Sequence, residues 1–232
     1  MVLAHRSRGP VNADRAGLLS RSFPIGEEVV VLGAGGHTKV ILSVLLEAEV
    51  RVAGIYDDDP AKTGAAVRHV PVLGTISGLH DTRGHWCVVG VGDNATRHDI
   101  AVRFASADWL TIVHPAAYVH PSACLGPGTV VLAGAVVNAG ACVGRHCIIN
   151  TGATVGEDCV VGDFCHVGPG CRLGRTVKAA DGVFMGISSV AAHNVAVGAW
   201  TMIAAGAAVT TDMPERVVAV GVPARVQRRL ET

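Results

Sequence analysis

Aromatic side chains are scarce in this sequence. Phe, Trp and Tyr make up 4% of its 232 residues, although half of the chain is apolar. A core must therefore be assembled from Val, Ala, Leu and Ile, and 29 glycines point to many tight turns rather than to a helical bundle. Net charge is missing as well. Nineteen basic and nineteen acidic residues cancel, so no broad positive field attracts nucleic acid or an anionic membrane surface. No apolar run approaches the ~18 residues of a membrane-spanning helix. Residues 1–26 lack the apolar centre of a secretion signal and read as an N-terminal arm; as a transit peptide they are short and carry Asp14. None of the seven cysteines sits in a CxxC pair and their number is odd, which fits a reduced, cytoplasmic protein.

What the chain does have is a period. Every sixth residue from Val119 to Val209 is apolar, and only Ala179 and Ala191 in that series are smaller than Val. Four residues after each member comes a small or β-branched one, such as Ala123, Thr129, Ala135, Cys147 and Ala207. Each six-residue unit reads as a short strand and a turn, and stacked coils would bury the aliphatic slot as ladders. Glycine often follows the aliphatic residue, as at Gly126, Gly144, Gly156 and Gly162, where its conformational freedom suits a corner. Cys147, Cys159, Cys165 and Cys171 occupy the small slot and read as packing residues.

Residues 28–110 follow a different rule. "EVVVLGAGG" reads as a buried strand entering a glycine turn, and "HTKVILSVLLEAE" as a helix with Val40, Ile41, Val44, Leu45 and Ala48 on one face. "RVAGIYDDD", "VPVLG" and "WCVVGVG" read as strands and "NATRHDIAVRFAS" as a second helix, an alternation that predicts a parallel sheet with crossover helices. The GxGG turn precedes a helix N-terminus able to receive phosphate. It lacks the third glycine of a dinucleotide fingerprint, since position 38 is Thr; Asp57–Asp59 stand where a ribose-binding acid would. On these residues alone, a ligand loop and a plain turn followed by an acidic loop are equally supported.

The ordered set "GAGGHTKV", "YDDD", "VGVGDNATR", "IVHPAAYV", hexapeptide coils and "VAVGVPAR" resembles the sialic-acid O-acetyltransferase and UDP-amino-sugar N-acetyltransferase family (NeuD/PglD-type), over about residues 28–230. The resemblance implies a Rossmann-like α/β subdomain at 27–112 followed by a left-handed parallel β-helix at 113–232, with about five coils. It also implies a homotrimer with acetyl-CoA between neighbouring β-helices, no metal, and a sugar or nucleotide-sugar acceptor on the N-terminal unit. By motif position, Gly33, Gly35, Gly36, His37, Asp57, Asp58, Asn94 and Arg97 would bind the acceptor. Gly174, Gly186, Ile187, Gly221, Pro223 and Arg225 would lie near CoA.

The chain departs from the family at its chemistry. The family reads Val/Ile-Glu-His-Asp/Glu-Cys, with His as general base and Glu orienting it. Here "TVGEDCVVGDFCHVGPG" puts Gly156 at the Glu position and Glu157 at the His position, while Asp158, Cys159, Phe164 and His166 match. A free Glu, with a pKa of about 4.3, is a poor base near neutrality unless burial raises it. A positioned base contributes about 10²–10⁴-fold, so its exchange need not abolish transfer, and an amine acceptor would suffer less than a hydroxyl. Glu157 and His166 are thus the two candidate bases of an acyl-CoA-dependent N-acyltransferase, His166 alternatively acting as a hydrogen-bond donor, with O-acylation less favoured. The alternative is a non-catalytic trimer that binds nucleotide sugar or CoA. A zinc carbonic anhydrase on this scaffold needs three converging His, and no third is paired with His146 and His166.

Overall fold

The computed structural model describes residues 2–4, 11–12, 27–79, 82 and 85–231. Most of the N-terminal arm therefore lies outside the described residues; within it, Val2–Ala4 pairs with Leu110–Ile112 and Val11–Asn12 with Cys124–Leu125, both antiparallel.

The hexapeptide ladder is the core of the larger part. Two-residue strands recur every six residues and stack into three parallel sheets, giving the expected left-handed β-helix. Face 1 runs from Tyr118–Val119 through Thr154–Val155 to Ala208–Val209, and face 2 from Cys124–Leu125 through Val160–Val161 to Ala196–Val197. Face 3 runs from Val130–Val131 through His166–Val167 to Met202–Ile203. Parallel pairing joins residues eighteen apart, as in Val137↔Val155↔Leu173, so three units close one coil. From Leu125 to Val209 every member of the aliphatic series is buried, and so is the small slot from Ala123 to Ala207; only Val119, in the first coil, is partly open. Polar members of the small slot are satisfied internally. Thr129 donates to the Gly144 carbonyl at 2.7 Å and accepts from Cys147 N–H at 3.0 Å. Cys159 and Cys171 donate to the Gly174 and Gly186 carbonyls, 2.9 and 2.8 Å away. Burial raises both thiols above their ordinary pKa, which suits packing rather than nucleophilic chemistry.

The corner glycines have a different cause from the one the sequence suggested. Gly126, Gly156 and Gly186 do not take up the left-handed conformation; that falls two residues later in each unit, on residues as varied as Gly128, His146, Asp158, Phe164 and Trp200. Gly156 is required because a Cβ there would sit 2.7 Å from the Leu173 carbonyl oxygen in the next coil. Coil-to-coil approach, not backbone freedom, selects glycine at that position.

The N-terminal unit is the predicted parallel sheet. Its order is Val70–Gly74, Arg51–Tyr56, Glu28–Leu32, Trp86–Val89, Asp108–Val113. Helix α1 spans Gly36–Glu47 and α2 spans Asn94–Arg103. The face of α1 that packs on the sheet uses Ile41, Leu42, Val44 and Leu45, with Ala48 at the C-cap half-buried against the same core; of the expected face only Val40 fails, being 39% exposed, and Leu42 takes its place. Strand Asp108–Val113 belongs to both parts. Its first residues pair with Trp86–Cys87, and Ile112–Val113 pair with Val130–Val131 of face 3. The division expected at 112/113 thus falls inside a continuous strand. Among the described residues no helix is long and apolar enough to cross a membrane.

Candidate active site

The outward column of face 3 shows where the N-terminal unit ends. Val130 and Ile148 are each 1% exposed beneath it, whereas Met202 is 41% exposed beyond it. His166 and Phe184 occupy the transition, half-buried and edge-to-face with ring centroids 5.2 Å apart. His166 is therefore at the mouth of a seam between the two parts.

Its hydrogen bonds fix its tautomer. The Gly92 carbonyl can only accept, so Nδ1, 3.2 Å away, carries the proton. Nε2 then holds the lone pair, and the Asn150 amide donates to it at 2.9 Å. Asn150 is held in that orientation because its Oδ1 accepts from Thr151 N–H at 2.8 Å. Desolvation, then the nearby Arg97 charge, lower the His166 pKa to about 4, so the ring is neutral at pH 7.

Arg97 lies behind this seam. It is 2% exposed and ties the parts together. Nε donates to the His146 carbonyl at 2.7 Å, Nη2 to Asn94 Oδ1 at 2.7 Å and to the Phe164 carbonyl at 2.9 Å. Nη1 donates to the Val91 and Gly92 carbonyls at 3.1 Å, across the turn that leads into α2. Asn94 Nδ2 in turn donates to the Gly182 carbonyl at 3.0 Å. Both residues carry the domain joint, which uses the polar atoms that the acceptor role expected of them would need. Burial lowers Arg97 to about 10, and it remains a cation.

The glycine loop sits on the other side of the seam. Gly33 has φ +107° and its N–H donates to the Tyr56 carbonyl at 2.7 Å; a Cβ would meet Val91 at 2.6 Å. A Cβ on Gly35 or Gly36 would meet nothing within 4 Å, so internal packing does not require glycine there and the space beside the α1 N-terminus is open. His37, in the first turn of α1, has its ring 6.5 Å from that of His166, and its buried Nε2 has no hydrogen-bond partner among the described residues. Desolvation, then His166 and Arg97, lower its pKa to about 3.

Asp57 accepts from Ala34 N–H at 2.6 Å and from Lys62 Nζ at 3.1 Å. Burial works to raise its pKa, but the N–H groups of Asp59 and Ala34 and the Lys62 ammonium outweigh it and hold the carboxyl below its usual range. Asp57 thus shapes the glycine loop, and Asp58 binds the backbone and hydroxyl of Ser77 through one oxygen. From this loop a cleft of about 290 Å³ runs between Asp57, Asp58 and Ile76 on one side and the Thr96–Arg103 face of α2 on the other.

Glu157 is elsewhere. It is exposed on the corner between faces 1 and 2, the vertex opposite face 3, so a single chain does not bring it to His166. Gly174 lies on that same vertex one coil on, whereas Gly186 and Ile187 lie on the vertex between faces 3 and 1, with Ile187 54% exposed. Gly221 and Pro223 form the turn between strands Val217–Val220 and Arg225–Arg229 at the end of the prism, and Arg225 is exposed there. Sequence reasoning missed Asn150 as a partner of His166; the signal was its place two residues past Ile148, the face-3 neighbour of His166 one coil earlier. Among the described residues no cluster of three or more His, Cys, Asp or Glu could hold a metal ion.

Comparisons with known proteins agree with this layout. The family model described as the PglD N-terminal domain matches residues 28–104. PerB from Caulobacter crescentus, solved with CoA and GDP-perosamine, superposes with a TM-score of 0.81 at 37% identity, covering 88% of this chain and 99% of that one. The acetyltransferase domain of PglB from Neisseria gonorrhoeae, solved with acetyl coenzyme A, gives 0.79 at 32% identity, covering 86% and 98%. A curated relative, the uncharacterized protein L142 of Acanthamoeba polyphaga mimivirus, is 30% identical over 91 residues; the match spans 39% of this chain and only 18% of that protein.

Proposed function

Because the chain belongs to the NeuD/PglD-type sialic-acid O-acetyltransferase and UDP-amino-sugar N-acetyltransferase family, we propose that it transfers an acyl group, most simply acetyl, from acyl-CoA to the amine of a nucleotide-activated amino sugar. The observation that carries this reading is the seam itself. The glycine loop opens at Gly33 onto the cleft along α2, and His37, in the first turn of the helix that follows the loop, has its ring 6.5 Å from that of His166, where the N-terminal unit meets the outer surface of face 3. PerB and PglB, crystallised with CoA or acetyl-CoA, support the donor, and the GDP-perosamine in PerB supports the acceptor class.

The active unit in this proposal is a homotrimer in the cytoplasm, where acyl-CoA is made. The opposed placement of Glu157 and His166 on one prism means that they meet only if the vertex of one copy enters the groove beside face 3 of another. CoA would lie in that groove, along Gly174, Gly186, Ile187, Gly221, Pro223 and Arg225 drawn from two copies. The amine nitrogen attacks the thioester carbonyl, the C–N bond forms, the C–S bond breaks, and CoA leaves as thiolate. The amine proton passes to the Glu157 carboxylate. His166, with Nδ1 on the Gly92 carbonyl and Nε2 on the Asn150 amide, would pack against the acceptor rather than take its proton, and the Arg97 charge behind it disfavours a protonated amine.

Incubation of the purified chain with acetyl-CoA and GDP-perosamine, or a UDP-linked amino sugar, should release thiol in step with N-acetylated product. Absence of both acetyl-CoA binding and transfer would overturn the reading. Binding of both ligands without turnover would favour the non-catalytic alternative, which Glu157 in place of the family's base motivates.

A further inference from the structure

We propose that the cleft along α2 selects guanine, with Asp99 and Arg103 reading the edge of the base. This rests on the reading that the acceptor is a nucleotide-activated sugar and names its nucleotide.

The cleft has apolar walls, Ile76 and Ile100, able to sandwich a planar base. Its charged groups are mostly committed. Asp57 is held by backbone N–H groups and Lys62, and Asp58 by Ser77. Asp99 differs: among the described residues its one polar side-chain contact is the exposed ring of His98 at 3.0 Å, and its side chain is 80% exposed. Arg103 lies one helical turn further along the same face of α2, within the cleft, with its guanidinium 5.4 Å from the Phe104 ring and one donor on the Ser77 carbonyl at 2.9 Å. Arginine has five donors, so most remain for a ligand.

A carboxylate followed one turn later by a guanidinium is an acceptor pair beside a donor set. Guanine presents the complement along one edge: the N1–H and N2–H donors, then the O6 acceptor. Uracil presents a single N3–H between two carbonyl oxygens, which a two-oxygen carboxylate repels. Adenine and cytosine each pair an amino donor with a ring acceptor and leave one carboxylate oxygen facing a lone pair. The distance also fits. Asp99 and Arg103 lie five and nine residues beyond Asn94, ~8 and ~14 Å along the helix, which separates the base end from the His166 end by about the span of a ribose and a diphosphate.

Calorimetric titration of the full chain with GDP, UDP and ADP tests the proposal. GDP should bind about ten-fold or more tightly than UDP. Asp99→Asn, on an exposed side chain, should weaken GDP about ten-fold, bind UDP as tightly or more tightly, and erase the preference. Equal binding of GDP and UDP, or an unchanged preference in Asp99→Asn, would overturn the guanine assignment while leaving the transferase reading intact. Failure of every nucleotide to bind a chain that still binds acetyl-CoA would overturn the nucleotide-sugar reading along with it.

Discussion

Asn150 closes the basic nitrogen of His166. Its amide N–H points at the Nε2 lone pair from 2.9 Å, while Thr151 N–H keeps the amide from turning over. An imidazole in that state is a hydrogen-bonding fixture and a weak base. In the proposed reaction the proton goes instead to Glu157 of a neighbouring copy, which stands where the family places its base.

Substitutions at Glu157 should separate that role from folding. Glu157 is exposed, so Glu157→Gln should leave the melting temperature within about 1 °C and lower kcat by about 10²–10⁴. Glu157→His restores an imidazole with an ordinary pKa near 6.5 and should raise kcat near neutral pH above that of the native chain. Unchanged turnover in Glu157→Gln would remove the carboxylate from the mechanism.

Acid should loosen the joint between the two parts. His37 and His146 are lowered to about 3 and His166 to about 4, mainly by burial, against an ordinary 6.5. Each is neutral when folded and would take up a proton when unfolded below pH 6.5. Their contribution is full above 6.5 and is lost as pH falls toward 4 and 3. Urea midpoints should fall between pH 6.5 and 4.5 with a slope approaching three protons. A flat profile in that range would contradict the burial of these rings.

Arg97→Met should be severe. It strands the carbonyls of His146, Val91, Gly92 and Phe164 together with Asn94 Oδ1, all partners of one buried guanidinium. A loss of about 3–5 kcal/mol is expected, enough to unfold a marginal domain. Arg97→Lys, with three donors in place of a planar fork, should recover only part of it. Hydrogen exchange should show α2 opening before the β-helix in both variants.

Two glycines of one loop should behave differently. Gly33→Ala meets Val91 and forces an L residue to φ +107°, so it should cost about 1–3 kcal/mol of stability. Gly35→Ala meets nothing and should leave stability unchanged while weakening nucleotide binding. Equal nucleotide affinity in Gly35→Ala would place the ligand away from this loop.

Much of the architecture was legible because periodicity is a local property. The ladder from Val119 to Val209 and the small slot predicted which side chains point inward along the whole prism. The N-terminal strands and helices were legible from apolar runs and turns, with one position of the α1 face exchanged because Leu42, not Val40, meets the sheet. What could not be read was long-range commitment. Asn94 and Arg97 carry the same motif whether they hold a ligand or a neighbouring coil, and their partners lie 49 and 88 residues away. The corner glycines posed the same difficulty: the atom that excludes a side chain at Gly156 belongs to the coil above.

Strand Asp108–Val113 has a practical consequence. The N-terminal unit and the prism are dovetailed through one run of backbone, so acceptor specificity, if it resides in that unit as proposed, cannot be transplanted by cutting and rejoining at a hinge. A chimaera between relatives must carry this segment in phase. One inserted residue would turn Leu110 and Ile112, both fully buried, to the opposite side and misalign both halves at once.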